Sequence, residues 1–167
     1  KPEIKSPEII IPSSAHPAFI KASNYLGVNF VVVPVKNFRA NSEATAEAIT
    51  ENTILLVGSA PSYPHGLIDP ISEIAELAHR HNILCHVDSC IGGFMLPFVK
   101  QLGFPTIDFD FNVKGVTSIS ADMHKYGYAP KGASIVLYKN PELRKFQFSV
   151  YTNWSGGVYG SPTILGT

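Results

Sequence analysis

The chain is patterned as short, largely apolar runs that alternate with longer stretches in which apolar residues recur at helical spacing. The apolar runs cover residues 8–11, 30–33, 53–57 and 83–87. Runs of this length are typical of strands buried on both faces of a parallel sheet. The stretches between them predict helices at residues 17–26, 42–50 and 71–78. This alternation predicts an α/β fold with a mostly parallel sheet, right-handed crossovers and helices on both faces.

Residues that favour helix ends stand at the expected boundaries. Gly27 stops the first helical stretch, and Asn41 is placed to cap the second. Asp69, followed by Pro70, is placed to cap and start the third. Beyond residue 90 we expect a helix at 94–102, an irregular connection at 105–114, strands at 116–120 and 133–138, and an aperiodic segment at 151–167.

Composition narrows the function classes without choosing among enzymes. The 167 residues carry 13 basic and 13 acidic side chains, so there is no electrostatic footprint for nucleic acid or an anionic membrane. No run approaches the roughly 18 apolar residues of a membrane span, and the first residues do not resemble a signal peptide. Cys85 and Cys90 are too close along one strand and its exit to indicate a disulfide framework, which favours a reducing compartment.

Two residues stand where a parallel sheet binds ligands. Asp88 follows the run 83–87, and Lys125 lies in the loop after the strand 116–120. The carboxyl ends of parallel strands are the usual ligand edge of an open α/β sheet. A carboxylate that keeps a ring nitrogen protonated and a lysine amine that holds an aldehyde are what a pyridoxal phosphate site requires. The alternatives are that Asp88 caps the following segment and that Lys125 is a solvated charge.

A metal site is a weaker interpretation of the same strand. Strand alternation would place His86, Asp88 and Cys90 on one face. The paired C-x-x-C or H-x-x-x-H spacings of zinc sites are missing from the sequence. We therefore predict no metal.

Three segments, 86–94, 115–132 and 154–163, resemble the sphingosine-1-phosphate lyases, which belong to the group II decarboxylase branch of the fold-type I pyridoxal phosphate enzymes. The resemblance extends over nearly the whole chain. It implies that residues 1–167 are the central part of a cofactor-binding large domain. It also implies a glycine-rich phosphate loop upstream and a small domain downstream, neither of which this sequence includes.

The resemblance assigns roles to four residues around the cofactor. Lys125 would form the Schiff base with pyridoxal 5'-phosphate, and Asp88 would pair with its ring nitrogen. His16 would lie flat over the ring, although a capping or merely exposed histidine is the alternative. His124 would contact the cofactor phosphate and the reacting centre.

The resemblance matches three further residues to the active site: Lys131 and Tyr159 as catalytic residues and Ser161 as a cofactor-binding residue. Lys131 would supply a cation for a phosphorylated sphingoid base, and its alternative is a solvated loop charge. Tyr159 and Ser161 would complete the active site of a neighbouring subunit, and their alternative is an ordinary surface turn. The implied assembly is a homodimer with a shared active site.

The implied reaction is retro-aldol cleavage of the C2–C3 bond of sphingosine 1-phosphate to a long-chain aldehyde and phosphoethanolamine. An amino-acid decarboxylase of the same family is the alternative. A Rossmann oxidoreductase would show G-x-G-x-x-G after its first strand, which this sequence lacks, and the intact Lys125, Asp88 and His16 argue against an inactive scaffold. The expected location is cytoplasmic or cytosol-facing, or the endoplasmic-reticulum membrane if the full-length protein has an N-terminal anchor.

Overall fold

The computed structural model of the chain describes residues 3–163, which form two compact units that divide between Leu137 and Tyr138. In chain order the elements are β1 (Glu8–Pro12), α1 (Ala18–Leu26), β2 (Asn29–Val33), β3 (Val35–Lys36), β4 (Arg39–Ala40), α2 (Ser42–Ala48), β5 (Thr53–Ser59), α3 (Ile71–Arg80), β6 (Leu84–Asp88), α4 (Leu96–Gln101), β7 (Ser118–Ala121), β8 (Ile135–Tyr138), α5 (Pro141–Arg144), β9 (Ser149–Trp154) and β10 (Gly157–Ser161). No helix within residues 3–163 is long and apolar enough to cross a membrane.

The first unit is built on a six-stranded sheet in the order β2-β1-β5-β6-β7-β8. The neighbouring pairs from β2 through β7 are all parallel, which confirms the predicted α/β class. Because these strands run in one direction, the loops that follow β1, β5, β6 and β7 leave the sheet at one edge. The loops after β1, β6 and β7 carry most of the residues predicted to bind the cofactor.

Alternate side chains of β1 are buried on opposite faces of the sheet. Ile9 and Ile11 pack with Phe19 of α1, whereas Ile10 belongs to a larger core that includes Ile74 of α3. This alternation follows from the two-residue period of a strand, and it requires helices on both faces. The prediction of a doubly covered sheet is therefore confirmed.

Two of the three predicted helix-boundary residues have the expected geometry. Gly27 ends α1 in the left-handed conformation with φ of 64°. The Asn41 side chain accepts hydrogen bonds from the backbone N–H groups of Glu43 and Ala44 at 3.1 and 3.2 Å. Both arrangements satisfy backbone groups that would otherwise lack partners at a helix end.

The predicted capping role of Asp69 is wrong. α3 begins after Pro70 without a side-chain cap, and the fully buried Asp69 carboxylate accepts from the backbone N–H groups of Ala40 at 2.7 Å and Ser59 at 2.8 Å. Burial raises the pKa of Asp69, and the two hydrogen bonds work against that rise. Asp69 therefore joins the β3–β4 hairpin to the end of β5.

The predicted helix at 94–102 is shorter and begins later than expected. A single 3₁₀ turn occupies Gly92–Phe94, and the α-helix covers Leu96–Gln101. Pro97 lies in the first turn of that helix, where its missing N–H costs no hydrogen bond. The strand predicted at 133–138 is present as β8.

The second unit contains a hairpin that the sequence pattern did not predict. β9 and β10 pair antiparallel, with Trp154 opposite Gly157 near the turn. Every side chain of β9 is exposed, so the strand has no alternation of buried and exposed positions to reveal it. The prediction of an aperiodic segment from residue 151 is therefore wrong through residue 161, and residues 164–167 lie outside the described residues.

Candidate active site

Asp88 is the last residue of β6, and its carboxylate is fixed by one oxygen. Only 8% of the residue is exposed. Its Oδ1 atom accepts hydrogen bonds from the Cys90 backbone N–H at 3.1 Å and from the Ser120 hydroxyl at 3.2 Å. Its side chain also interacts with the thiol of Cys90, two residues later. The structure therefore presents a buried carboxylate that is fixed through its Oδ1 atom.

Two glycines let the loop after β6 pack tightly against its neighbours. A Cβ atom on Gly92 would lie 2.1 Å from the backbone oxygen of Ala60, and one on Gly93 would lie 2.6 Å from the Cβ of Ala121. Neither space admits a side chain. Close approach of the backbone is therefore the reason for the glycine pair.

Lys125 lies in the turn that follows β7 and is paired with a carboxylate of the same turn. Its Nζ atom is 2.8 Å from Oδ2 of Asp122, and its side chain is 33% exposed. Burial lowers the pKa of the Lys125 amine, but the interactions with Asp122 and Cys90 together outweigh burial and leave the pKa above its ordinary value. The lysine is therefore held as an ammonium group.

The Asp122 carboxylate contacts three side chains of this loop. Besides Lys125, the Ser134 hydroxyl donates to its Oδ1 atom at 2.5 Å, and Nε2 of His124 lies 3.7 Å from its Oδ2 atom. Burial raises the pKa of Asp122, but the hydrogen bonds from Lys125 and Ser134 together with the nearby charges of Lys125 and His124 lower it overall. Asp122 is thus an ionised anchor for the loop.

Cys90 connects the Asp88 loop to the Lys125 loop. Its backbone N–H binds Asp88, and its side chain interacts with both Lys125 and Asp88. Burial raises the pKa of the Cys90 thiol, although the Lys125 ammonium acts against that rise. The structure therefore brings Asp88 and Lys125 to one place at the carboxyl edge of the sheet, as the sequence predicted.

His124 and His16 both have anchored rings. Nδ1 of His124 donates to the backbone oxygen of Ala133 at 2.7 Å, because a carbonyl oxygen only accepts. Nδ1 of the exposed His16 accepts from the Ala18 backbone N–H at 3.1 Å, which is the capping alternative considered for it. The proposed contacts of both histidines with a cofactor remain predictions.

Of the three other predicted site residues, Lys131 is on the surface of the first unit, and Tyr159 and Ser161 lie in the second unit. Lys131 is exposed and forms no ion pair with any residue in the range 3–163. Tyr159 and Ser161 belong to β10, where Ser161 is buried and its hydroxyl donates to the Thr163 backbone oxygen at 3.0 Å. Their predicted part in a shared active site stays a prediction.

Metal and disulfide interpretations of the Asp88 strand find no support. Within residues 3–163 no group of three or more histidine, cysteine, aspartate or glutamate side chains is arranged to hold a metal ion. Cys85 and Cys90 are both free, and burial raises the pKa of the Cys85 thiol to about 12. Cys85 is therefore an inert core residue.

Sequence reasoning missed Asp122 and Ser120 as parts of the site. Asp122 stands three residues before Lys125, a spacing that brings both side chains together within a tight turn. Ser120 is paired with Asp88 in the β6–β7 register, which no local pattern reveals. The spacing of Asp122 was therefore a usable signal, whereas the contact of Ser120 needed the strand pairing.

Residues 4–155 match the family model for the pyridoxal-dependent decarboxylase conserved domain. The chain belongs to the pyridoxal-dependent decarboxylase family. The cofactor of this family is pyridoxal 5'-phosphate, as the resemblance implied.

Curated relatives extend this assignment. The chain is 58% identical over 168 residues to a sphingosine-1-phosphate lyase of Oryza sativa subsp. japonica, covering 100% of this chain and 31% of that protein. It is 54% identical to sphingosine-1-phosphate lyase 1 of Rattus norvegicus, covering 98% of this chain and 29% of the relative. The chain thus spans less than a third of the length of these relatives.

Solved structures of two different enzymes share the fold. A Burkholderia pseudomallei sphingosine-1-phosphate lyase superimposes with a TM-score of 0.95 at 44% identity, over 99% of this chain and 38% of that one. A Lactobacillus brevis glutamate decarboxylase superimposes with a TM-score of 0.80 at 25% identity, over 95% of this chain and 37% of its own. The fold-type I assignment is confirmed, and the fold alone is compatible with lyase and decarboxylase chemistry.

The residues present fit pyridoxal phosphate. The buried Asp88 carboxylate could accept a hydrogen bond from a protonated ring nitrogen, and the nearby Lys125 amine could attach an aldehyde after it loses its proton to become a nucleophile. Cys90, which contacts both Asp88 and Lys125, places these two functions side by side.

Proposed function

We propose that the full-length protein containing this chain is a pyridoxal phosphate-dependent lyase that cleaves the C2–C3 bond of sphingosine 1-phosphate. The products would be a long-chain aldehyde and phosphoethanolamine. The observation that carries the proposal is the placement of Asp88 and Lys125 on either side of Cys90 at the carboxyl edge of the sheet. The choice of substrate is supported by identities of 58% and 54% to sphingosine-1-phosphate lyases.

Bound pyridoxal phosphate supplies an aldehyde for covalent attachment and a ring that accepts electrons from the breaking bond. Lys125 is the residue we assign to the aldehyde. Asp88 would hold a proton on the ring nitrogen, because its carboxylate is buried and is fixed by the Cys90 N–H and the Ser120 hydroxyl. His16, anchored at the start of α1, is assigned to cover one face of the ring.

Asp122 sets the resting state of the lysine. Its carboxylate lies 2.8 Å from the Lys125 amine and raises the pKa of that amine against the effect of burial. An ammonium group is not a nucleophile, so Lys125 has to release a proton before attachment. His124 is next to the same carboxylate, with Nε2 3.7 Å from Oδ2.

The substrate phosphate is assigned to Lys131, whose exposed ammonium is not engaged by any described carboxylate. Tyr159 and Ser161 are assigned to the active site of a neighbouring subunit in a homodimer. A cytosol-facing location is proposed because both cysteines are free thiols. An endoplasmic-reticulum anchor would have to come from a part of the full-length protein outside this chain.

An amino-acid decarboxylase is the second candidate, favoured by the structural likeness to glutamate decarboxylase. The test supplies the full-length holoenzyme with sphingosine 1-phosphate or with L-glutamate and measures aldehyde and carbon dioxide. We expect aldehyde from sphingosine 1-phosphate and no carbon dioxide. Carbon dioxide from the amino acid, without aldehyde from the phosphorylated base, would establish the second candidate. A Lys125→Ala variant should be inactive in both assays, and Lys114→Ala, at an exposed lysine, serves as the matched control.

A further inference from the structure

His86 stands two residues before Asp88 on β6 and is not used by the proposed reaction. Its two ring nitrogens each meet a serine of the neighbouring strand β7. Nδ1 lies 2.8 Å from the Ser118 hydroxyl, and Nε2 lies 3.3 Å from the Ser120 hydroxyl. The Ser120 hydroxyl in turn lies 3.2 Å from Oδ1 of Asp88. A continuous hydrogen-bonded chain therefore leads from Ser118 through His86 and Ser120 to Asp88.

The direction of every bond in this chain follows from the chemistry of the groups. An ionised carboxylate only accepts, so Ser120 gives its single proton to Asp88. The Ser120 oxygen must then accept from His86, which places a proton on Nε2 of the ring. Burial lowers the pKa of His86 despite the opposing charge of Asp88, so the ring is neutral and its Nδ1 accepts from Ser118.

The surroundings of His86 keep this arrangement in place. The Phe19 ring of α1 packs edge-on against the imidazole with centroids 5.9 Å apart. The charged group that acts on His86 is Asp88. The apolar Phe19 ring on one side and a single carboxylate beyond Ser120 make the neutral imidazole the favoured form.

We propose that His86 is a positioning residue that, through Ser120, orients the Asp88 carboxylate toward the cofactor ring nitrogen. The three donors all point toward Asp88, so their dipoles reinforce one another and stabilise its negative charge. A neutral histidine does this without forming an ion pair, so it does not neutralise the charge of Asp88. The inference rests on the proposed use of Asp88, and it adds His86, Ser118 and Ser120 to the residues that determine how the site works.

The first measurement is made on the wild-type protein without cofactor. Nitrogen-15 NMR of the imidazole, in the full-length apoprotein, distinguishes a proton on Nε2 from one on Nδ1. We expect His86 to be neutral at pH 7 with its proton on Nε2. A proton on Nδ1, or a doubly protonated ring, would overturn the proposal, because the chain could not then run toward Asp88.

The second measurement compares three variants of the full-length protein. His86→Leu breaks the hydrogen-bonded chain from Ser118 to Asp88, and His86→Gln keeps an amide N–H that can reach Ser120. Thr117→Val is the matched control, since the Thr117 hydroxyl makes two other bonds between β6 and β7, with the Cys85 N–H at 3.0 Å and the Cys85 oxygen at 2.8 Å. Cofactor dissociation is followed by the absorbance of the bound cofactor, and kcat and KM are measured in parallel.

We expect His86→Leu to weaken cofactor binding and to lower kcat about tenfold each with little change in KM, the size of effect expected from loss of one hydrogen bond. His86→Gln should recover most of both losses, and Thr117→Val should leave both unchanged. Ser120→Ala should match His86→Leu, and the double variant should be no worse than either single one, because both break the same chain.

If His86→Leu and Thr117→Val had the same cofactor affinity and the same kcat, the proposal would be overturned, because His86 would then have a purely structural role. If His86→Leu fails to fold, Ser120→Ala and the apoprotein NMR still decide the question. The outcome is independent of the substrate. The variants could show the expected losses of cofactor affinity while the wild-type protein releases no aldehyde from sphingosine 1-phosphate. That result would refute the proposed function and leave this inference intact.

Discussion

The Nζ atom of Lys125 lies 2.8 Å from Oδ2 of Asp122, three residues earlier in the same loop. This ion pair holds the proposed reactive amine in its protonated form. The pair is not isolated, because Ser134 donates to the other oxygen of Asp122 and the Cys90 side chain interacts with Lys125. The loop that carries the lysine is therefore organised by its own side chains, with Asp122 at the centre.

Asp122→Asn is expected to lower the stability of the protein by about 0.5–1 kcal/mol at pH 7, a value reduced for the partial exposure of Lys125. The pKa of Asp122 is lowered from its ordinary 3.8, so its contribution is present above pH 3.8 and is lost as the pH falls through the folded-state value. The pKa of Lys125 is raised from 10.5, so its contribution is present below pH 10.5 and is lost above the folded-state value. Urea unfolding at pH 7 and at pH 3 measures the difference.

The control for this prediction is Asp108→Asn, which removes the more exposed pair with Lys100. It should leave the unfolding midpoint unchanged. A deficit of Asp122→Asn that is as large at pH 3 as at pH 7 would show that the ion pair is not its cause.

Gly92→Ala is expected to destabilise the protein by about 1–3 kcal/mol, because the added Cβ would lie 2.1 Å from a backbone oxygen that cannot rotate away. The strain would fall on the loop that fixes Asp88, so cofactor affinity should decline with stability. Gly160→Ala is the matched control, since a Cβ there has no heavy atom within 4 Å. Urea unfolding and cofactor titration of both variants check the prediction, and equal stability of the two would contradict the close packing.

How far the site was predictable depends on whether its contacts are local. The apolar run before Asp88 and the strand before Lys125 were sufficient to place both residues at one edge of a parallel sheet. The role of Asp69 was not predictable, because its partners Ala40 and Ser59 lie 29 and 10 residues away in the chain. The β9–β10 hairpin was missed for a different reason: its exposed side chains give no period of burial.

Lys125 is expected to carry the cofactor covalently in the full-length holoenzyme. Reduction with borohydride should fix the cofactor on one lysine, and peptide mapping by mass spectrometry should find it on Lys125. The Lys125→Ala variant should retain no covalently bound cofactor after reduction. Lys131→Ala should retain the modification in full and show a higher KM for sphingosine 1-phosphate, because Lys131 is assigned to the substrate phosphate. Modification found on Lys131 in the Lys125→Ala variant and lost in Lys131→Ala would reverse the two assignments.

Asp88→Asn is expected to keep the cofactor and to lose most of the turnover. The amide oxygen can still accept from the Cys90 N–H and the Ser120 hydroxyl, so the loop should retain its geometry. What changes is the group that faces the ring nitrogen, which becomes neutral. A hydrogen bond to a charged group is worth roughly 1.5–3 kcal/mol, so kcat should fall about 10- to 100-fold. Stopped-flow turnover with sphingosine 1-phosphate, measured beside the absorbance of the bound cofactor, separates loss of rate from loss of cofactor.

Asp108→Asn again serves as the charge-matched control at an exposed position. Full turnover in Asp88→Asn would mean that another residue controls the protonation of the ring nitrogen, and the chain through His86 would then have no catalytic consequence.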